Sequence, residues 1–144
     1  MREVLLVRFG EIHLKGLNSP YFMRMLVERV KDAVAPFGGH VWLSDSRVYV
    51  SDASDIDAAQ RRVCKVFGVH SVCRAVEMDK RDFGALCEAG ASLMAGVSGT
   101  FKVEARRSDK HYPFDSPHIN EEMGGFVLDR NPALSVDLHT PKHV

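Results

Sequence analysis

The sequence predicts an α+β protein, a ferredoxin-like βαββαβ sandwich over residues 1–78 followed by an incomplete α/β unit over residues 79–144. Three observations predict it. The continuous apolar run Val4-Leu-Leu-Val7 has the character of a central strand buried on both faces. Apolar spacing then switches between helix and strand periods in the order strand, helix, strand, strand, helix, strand, which is the split βαβ order. After Asp79 a second cycle of helix, strand, helix and strand begins.

The elements follow in order. Behind Arg8-Phe-Gly10 lies a polar segment with Gly16, and Ser19-Pro20 reads as a helix start. Phe22, Leu26, Val30 and Ala33 supply that helix with an apolar stripe, and Pro36 and Gly38-Gly39 end it. Val41-Trp-Leu43 and Arg47-Val-Tyr-Val50 alternate around Ser44-Asp-Ser46, a hairpin signal. Ser54 is positioned to cap a second helix whose stripe is Ile56, Ala59, Val63, Val66 and Phe67, with Gly68 as terminator. Residues 69–78 read as the fourth strand. Phe83, Leu86, Cys87, Gly90, Leu93 and Val97 mark a third helix, and Ile119, Met123, Phe126 and Val127 a fourth. Leu134, Val136 and Leu138 alternate with polar residues as a closing strand. Two helices and two strands make a thin domain with an open strand edge, so the second unit reads as cut short.

Composition narrows the function. Lys plus Arg and Asp plus Glu number 19 each, so nucleic-acid binding has to come from local clusters and not from a global field. A hydrophobic content of 45% with 26% charged residues describes a globular chain, not a disordered one. No run approaches the ~20 apolar residues of a membrane span, and Met1-Arg-Glu3 lacks a signal-peptide core. The expected location is cytoplasmic, with no membrane partner. Cys64, Cys73 and Cys87 are too far apart for a CxxC site and odd in number, so they are expected to be reduced. The seven histidines form no HxH, HExxH or Cys/His cluster, and no metal or catalytic site is assigned to them.

The chemistry concentrates between Phe101 and Asn120. Phe101, Val103 and Ala105 alternate with Lys102, Glu104 and Arg106 as a half-buried strand, which runs into Arg107, Lys110 and His111 with Tyr112 and Phe114 interleaved. Ser116-Pro117 then reads as N-cap and first helical residue. Cations and aromatic rings beside free helix N–H groups suit a phosphate backbone and unstacked bases better than a metabolite. The same residues also suit a solvated charged turn.

Two separate stretches resemble one family. Arg8-Phe-Gly-Glu-Ile-His-Leu-Lys-Gly-Leu-Asn18 is similar to the opening motif of tRNA 4-thiouridine synthetases, sulfurtransferases also tied to thiamine thiazole synthesis. Phe101-Lys-Val-Glu-Ala-Arg-Arg-Ser-Asp-Lys110, with Pro113-Phe114, Ser116-Pro117, Ile119-Asn120, Gly124 and Asn131-Pro132, resembles the THUMP domain of the same family. The resemblance spans nearly the whole chain. It implies an N-terminal ferredoxin-like domain over 1–78 and a THUMP domain over 79–144 lacking its last strands. It also implies a role in holding the acceptor stem and 3′ end of tRNA for a separate catalytic domain.

That catalytic domain carries the family's ATP loop, Ser-Gly-Gly-x-Asp-Ser, and no such loop occurs in these 144 residues. No cofactor and no catalytic residue is therefore assigned to the chain. ATP and a cysteine desulfurase partner belong to the family's catalytic part, and the chain alone is not expected to make thiouridine. His118 stands where a glutamate is expected and Tyr112 where a phenylalanine is common.

The RNA-contact candidates are Arg106, Arg107 and Lys110, with Lys102, His111 and Ser116 beside them, and then Arg8, Lys15 and Asn18. Arg8 could instead pair with Glu11, and Asn18 could only cap. The open edge of the second unit predicts a homodimer through unpaired strand edges, against which Pro141 and a frayed 134–138 segment would favour a monomer. A small-molecule-sensing regulatory module is the alternative reading, resting on fold analogy alone.

Overall fold

In the computed structural model, residues 2–10, 19–44 and 47–144 are described. The chain divides into two compact units, Met1–Met78 and Asp79–Val144.

Unit 1 is a four-stranded antiparallel sheet with two helices. Its elements are β1 (Arg2–Phe9), α1 (Ser19–Val34), a 3-10 turn (Ala35–Phe37), β2 (His40–Ser44), β3 (Arg47–Ser51), α2 (Ile56–Cys64) and β4 (Val69–Glu77). The strand order is β2-β3-β1-β4. β1 is central because its run of apolar residues needs cover on both faces, and Val4, Leu5 and Val7 are all buried. One face packs Leu5, Val7, Val41, Val48 and Val50 against Met23, Leu26, Val30 and Val34 of α1 and Ala59 and Val63 of α2. Met23 and Val34 thus join the α1 stripe more deeply than Phe22 and Ala33, which are only half-buried. Arg74, opposite Leu5, also lies on the helical face, where it reaches Gln60 and Asp57 of α2.

Two local expectations need correction here. The α2 cap is Asp55, not Ser54: its Oδ1 accepts the Ala58 N–H at 3.0 Å, and a carboxylate also favours the positive helix end. Phe67, expected on the α2 stripe, is 76% exposed because the helix has already ended at Cys64. Gly68 does turn the chain, at φ 97°, and a Cβ there would stand 3.1 Å from the Phe22 ring. Both facts select glycine.

Unit 2 comprises α3 (Phe83–Leu93), β5 (Gly99–Phe101), α4 (Ser116–Arg130) and β6 (Leu134–Val136). β5 and β6 pair in parallel from Gly99↔Leu134 to Phe101↔Val136. The core is small, with Phe101, Val127 and Leu134 buried and Met94, Val97, Val103, Met123 and Leu128 packed around them. Asn131 ends α4 and ties it down: its Nδ2 donates to the carbonyls of Met94 and Val97, each at 2.8 Å, and its Oδ1 accepts the Ala133 N–H.

The second unit departs from its sequence pattern in four places. The strand expected over residues 101–106 stops at Phe101, although side-chain burial keeps alternating through Val103 and Ala105. Beyond Phe101 the backbone lacks a ladder: Lys102 donates to the His143 carbonyl, and the Ala105 N–H is taken by the Asn120 side chain at 2.7 Å. The closing strand ends at Val136, because Asp137 turns the chain by accepting the N–H groups of His139 and Thr140, and this leaves Leu138 68% exposed. Leu93 is exposed at the α3 end and Val97 lies beyond that helix. The α4 cap is Asp115, whose Oδ1 accepts the His118 N–H at 2.9 Å, so Ser116 is the first helical residue and not the cap.

Among the described residues no helix is long and apolar enough to cross a membrane. The three cysteines are free, and Cys87 is buried, which pushes its thiol pKa up.

Candidate nucleic-acid interface

The connection from β5 to α4 forms the floor and walls of a cleft in unit 2. Its extended part is held against α4 by the Asn120–Ala105 bond, which satisfies a backbone donor that no neighbouring strand reaches. Arg106 is exposed and Arg107 half-buried. The Arg107 NH1 donates to the Tyr112 carbonyl at 3.4 Å, while its Nε is buried with no hydrogen-bond partner among the described residues. An orphaned buried N–H costs about 1–3 kcal/mol, a cost that an incoming acceptor would remove.

The turn that follows is clamped from the start of the unit. Asp109 Oδ2 receives Lys80 Nζ at 2.6 Å, its Oδ1 receives the His111 N–H at 2.9 Å, and the Tyr112 hydroxyl donates to the Lys80 carbonyl at 2.8 Å. The Lys80 ammonium first, and then the His111 N–H, hold the Asp109 carboxyl below the usual carboxylate range. Aromatic rings gather next to this clamp: Phe114 stacks on His118 at 4.7 Å and tilts against Phe83 at 4.9 Å.

The resulting cleft, of about 220 Å³, is lined by Lys80, Arg106, Arg107, Ser108, Asp109 and Tyr112 and by the apolar side chains of Phe83, Leu86, Ile119 and Met123. Three cations against one carboxylate leave it electropositive, and its apolar wall offers a surface on which a base can lie. The start of α4 is a poorer anion site than the sequence suggested, because Asp115 occupies it with a carboxylate of its own.

The structure brings Arg106 and Arg107 together on this cleft. Arg107, expected at an exposed strand end, is instead half-buried. Lys110 and His111 are exposed on the same turn without lining the cleft, Lys102 is half-buried, and Ser116 is half-buried at the first turn of α4. Arg8 is exposed on β1 of unit 1, and Lys15 and Asn18 lie outside the described residues. Sequence reasoning missed Lys80: nothing near Asp79-Lys-Arg81 signals a partner 29 residues away. Among the described residues no three His, Cys, Asp or Glu side chains gather as metal ligands.

Acid should weaken this clamp. Asp109 is held low in the folded chain, so the stability it adds is present above the unfolded carboxylate pKa of about 3.9 and is lost as pH falls through the lower folded value. Asp79, lowered to about 2 by the Arg81 side chain, adds to the same trend. Both carboxylates remain open to solvent, Asp109 less so than Asp79, and salt screening keeps the effect small. The expected result is a melting temperature that falls by a few degrees from pH 5 to pH 2, with a shallower fall in Lys80→Gln. An equal fall in both proteins would remove the clamp from the account.

A split-βαβ sandwich joined to a small α/β unit with a basic cleft is the arrangement of a ferredoxin-like domain followed by a THUMP domain. Family models agree: the ThiI ferredoxin-like domain matches residues 4–73 and the THUMP domain residues 75–144. The chain is thus a ThiI ferredoxin-like domain followed by a THUMP domain.

Probable tRNA sulfurtransferases of Acetivibrio thermocellus and Caldanaerobacter subterraneus are each 37% identical to it. The matches cover 100% and 98% of this chain but 39% and 37% of those relatives, so the chain spans under two fifths of their length. Among solved structures, a 4-thiouridine synthetase in complex with RNA and bound ATP superposes with a TM-score of 0.80 at 27% identity, over 99% of this chain and 37% of that one. PH1313 from Pyrococcus horikoshii has the same fold, with a TM-score of 0.72 at 23% identity, over 96% of this chain and 48% of that one.

Proposed function

We propose that the chain is the tRNA-binding part of a tRNA 4-thiouridine synthetase-like sulfurtransferase, and that its basic cleft holds the acceptor stem and 3′ end. The observation that carries this reading is the Arg106–Arg107 pair on an electropositive, partly apolar cleft, with the Arg107 Nε buried and unpaired. Arg106 and Arg107 contact phosphate, and Lys110 and His111 extend the contact along the exposed turn. Lys102, Ser116, Arg8, Lys15 and Asn18 complete the proposed set. The likeness to probable tRNA sulfurtransferases supports the tRNA assignment. Sulfur transfer, ATP use and cysteine desulfurase contact are assigned to the additional length of those relatives, and a cytoplasmic setting goes with the substrate. The findings give the small-molecule-sensing alternative no support.

The test is a mobility shift with a tRNA acceptor-stem minihelix bearing an unpaired 3′ end. A shift that weakens steeply with salt is expected, since a neutral protein binds RNA through a few local cations. No shift at low salt would remove the reading.

We also infer self-association. One edge of β5 carries β6 and the other carries His143, so the outer edge of β6 is the exposed one, beside the exposed apolar residues Val136, Leu138 and Val144. Such an edge seeks a partner. Sedimentation over a range of concentrations should show a rising dimer fraction, and a monomer at every concentration would dismiss it.

A further inference from the structure

The half-buried cation of the cleft, Arg107, is held by a residue that carries no charge. Its NH1 donates to the Tyr112 carbonyl, 3.4 Å away, and this leaves the Nε edge of the guanidinium without a partner among the described residues. Tyr112 is itself fixed at three points. Its hydroxyl donates to the Lys80 carbonyl at 2.8 Å, near the start of the unit, and its N–H donates to the Asp109 carbonyl at 3.3 Å. Its ring meets Phe114 edge-on at 6.0 Å, and Phe114 in turn lies against Phe83 of α3 and His118 of α4. Both contacts on the ring side are of the kind that fix orientation as well as bury area.

The segment that carries Arg107 needs such a brace. β5 ends at Phe101, and the Asn120 side chain ties the chain beyond it at Ala105. An arginine side chain on a segment of this kind loses much rotamer freedom when it grips a phosphate, and that loss counts against binding. Holding the guanidinium before the phosphate arrives moves the loss from the binding step to folding. The Lys80–Asp109 ion pair steadies the same turn, but both of its members are charged and set the field of the cleft as well. Tyr112 is neutral, so its effect on Arg107 can be separated from electrostatics.

We propose that Tyr112 is a positioning residue of the cleft: anchored on the Lys80 carbonyl and on Phe114, it holds the Arg107 guanidinium with its Nε edge ready for a phosphate oxygen. This role depends on the cleft function proposed above and adds to it a residue that acts through Arg107 and not on the RNA.

Tyr112→Phe deletes the hydroxyl anchor, keeps the ring and alters no charge. In a mobility-shift titration with the acceptor-stem minihelix bearing an unpaired 3′ end, it should weaken binding by about two- to tenfold, the scale of one hydrogen bond. It should also flatten the salt dependence, although no cation has been removed. The deciding measurement is a double-mutant cycle. Tyr112→Phe should weaken binding as much in an Arg106→Ala background as in the parent, and should have no further effect once Arg107→Ala is present. Equal weakening in the Arg107→Ala background would overturn the positioning role, because a direct RNA contact by the hydroxyl, or a general loss of structure, acts without Arg107. Unchanged binding in Tyr112→Phe, with Arg107→Ala still weakening it, would overturn the brace and leave the cleft reading standing. Unchanged binding in both single variants would remove the cleft reading and the brace together.

Discussion

Exchanging Arg106 and Arg107 for alanine should lower affinity for an acceptor-stem RNA by at least about a hundredfold, since a charge-assisted hydrogen bond is worth about 1.5–3 kcal/mol and two are removed. The two residues do not act alike. Arg106 is exposed, so its truncation changes charge without disturbing packing. Arg107 is half-buried, braced through NH1 against the Tyr112 carbonyl, and its truncation also removes packing at the cleft. Arg107→Lys separates the contributions, because it keeps a cation but loses the planar fork and the orphaned Nε. The lysine variant should bind more weakly than the parent while melting at a similar temperature. Filter binding at fixed salt decides the matter: unchanged affinity in the double alanine variant, with native circular dichroism, places the RNA elsewhere.

The largest effect on stability is expected at Phe101. Its ring is 2% exposed and sits at the centre of a core with only two other buried apolar residues, Val127 and Leu134. Phe101→Ala should cost about 3–5 kcal/mol, a large share of what a small domain has in reserve. The expected outcome is loss of the unit 2 melting transition while unit 1, whose core is built from β1, α1 and α2, retains its own. Leu138→Ala, at a position 68% exposed, should change little by comparison. Calorimetry on the full chain reads both transitions, and a Phe101→Ala protein melting like the parent would mean the core is organised otherwise.

The site was legible in part for a specific reason. Arg106 and Arg107 are legible as candidates because a half-buried strand pattern gives way to a basic run there, although only Arg106 is exposed and Arg107 is half-buried. Lys80 was not legible, because its link to Asp109 joins residues far apart in the chain and leaves no periodic trace. The length of the strand after Phe101 was misjudged for a related reason. Alternation records which side of the chain is covered, and Val103 and Ala105 are indeed the more covered side. Whether that chain is hydrogen-bonded as a strand depends on a neighbour, and here the neighbour is the Asn120 side chain.

The sequence by itself determined the order of the elements, the central place of Val4–Val7 and the apolar stripes of the helices, because burial repeats with the period of each element. It also placed the basic turn between β5 and α4. Only the tertiary structure decided which residue caps α2 and α4, since serine and aspartate can both cap and the backbone geometry at adjacent positions selects between them. It alone set Trp42, Tyr49 and Leu6 in one row, because register is a relation between strands, and a slip of a single residue would have turned every one of those side chains to the other face.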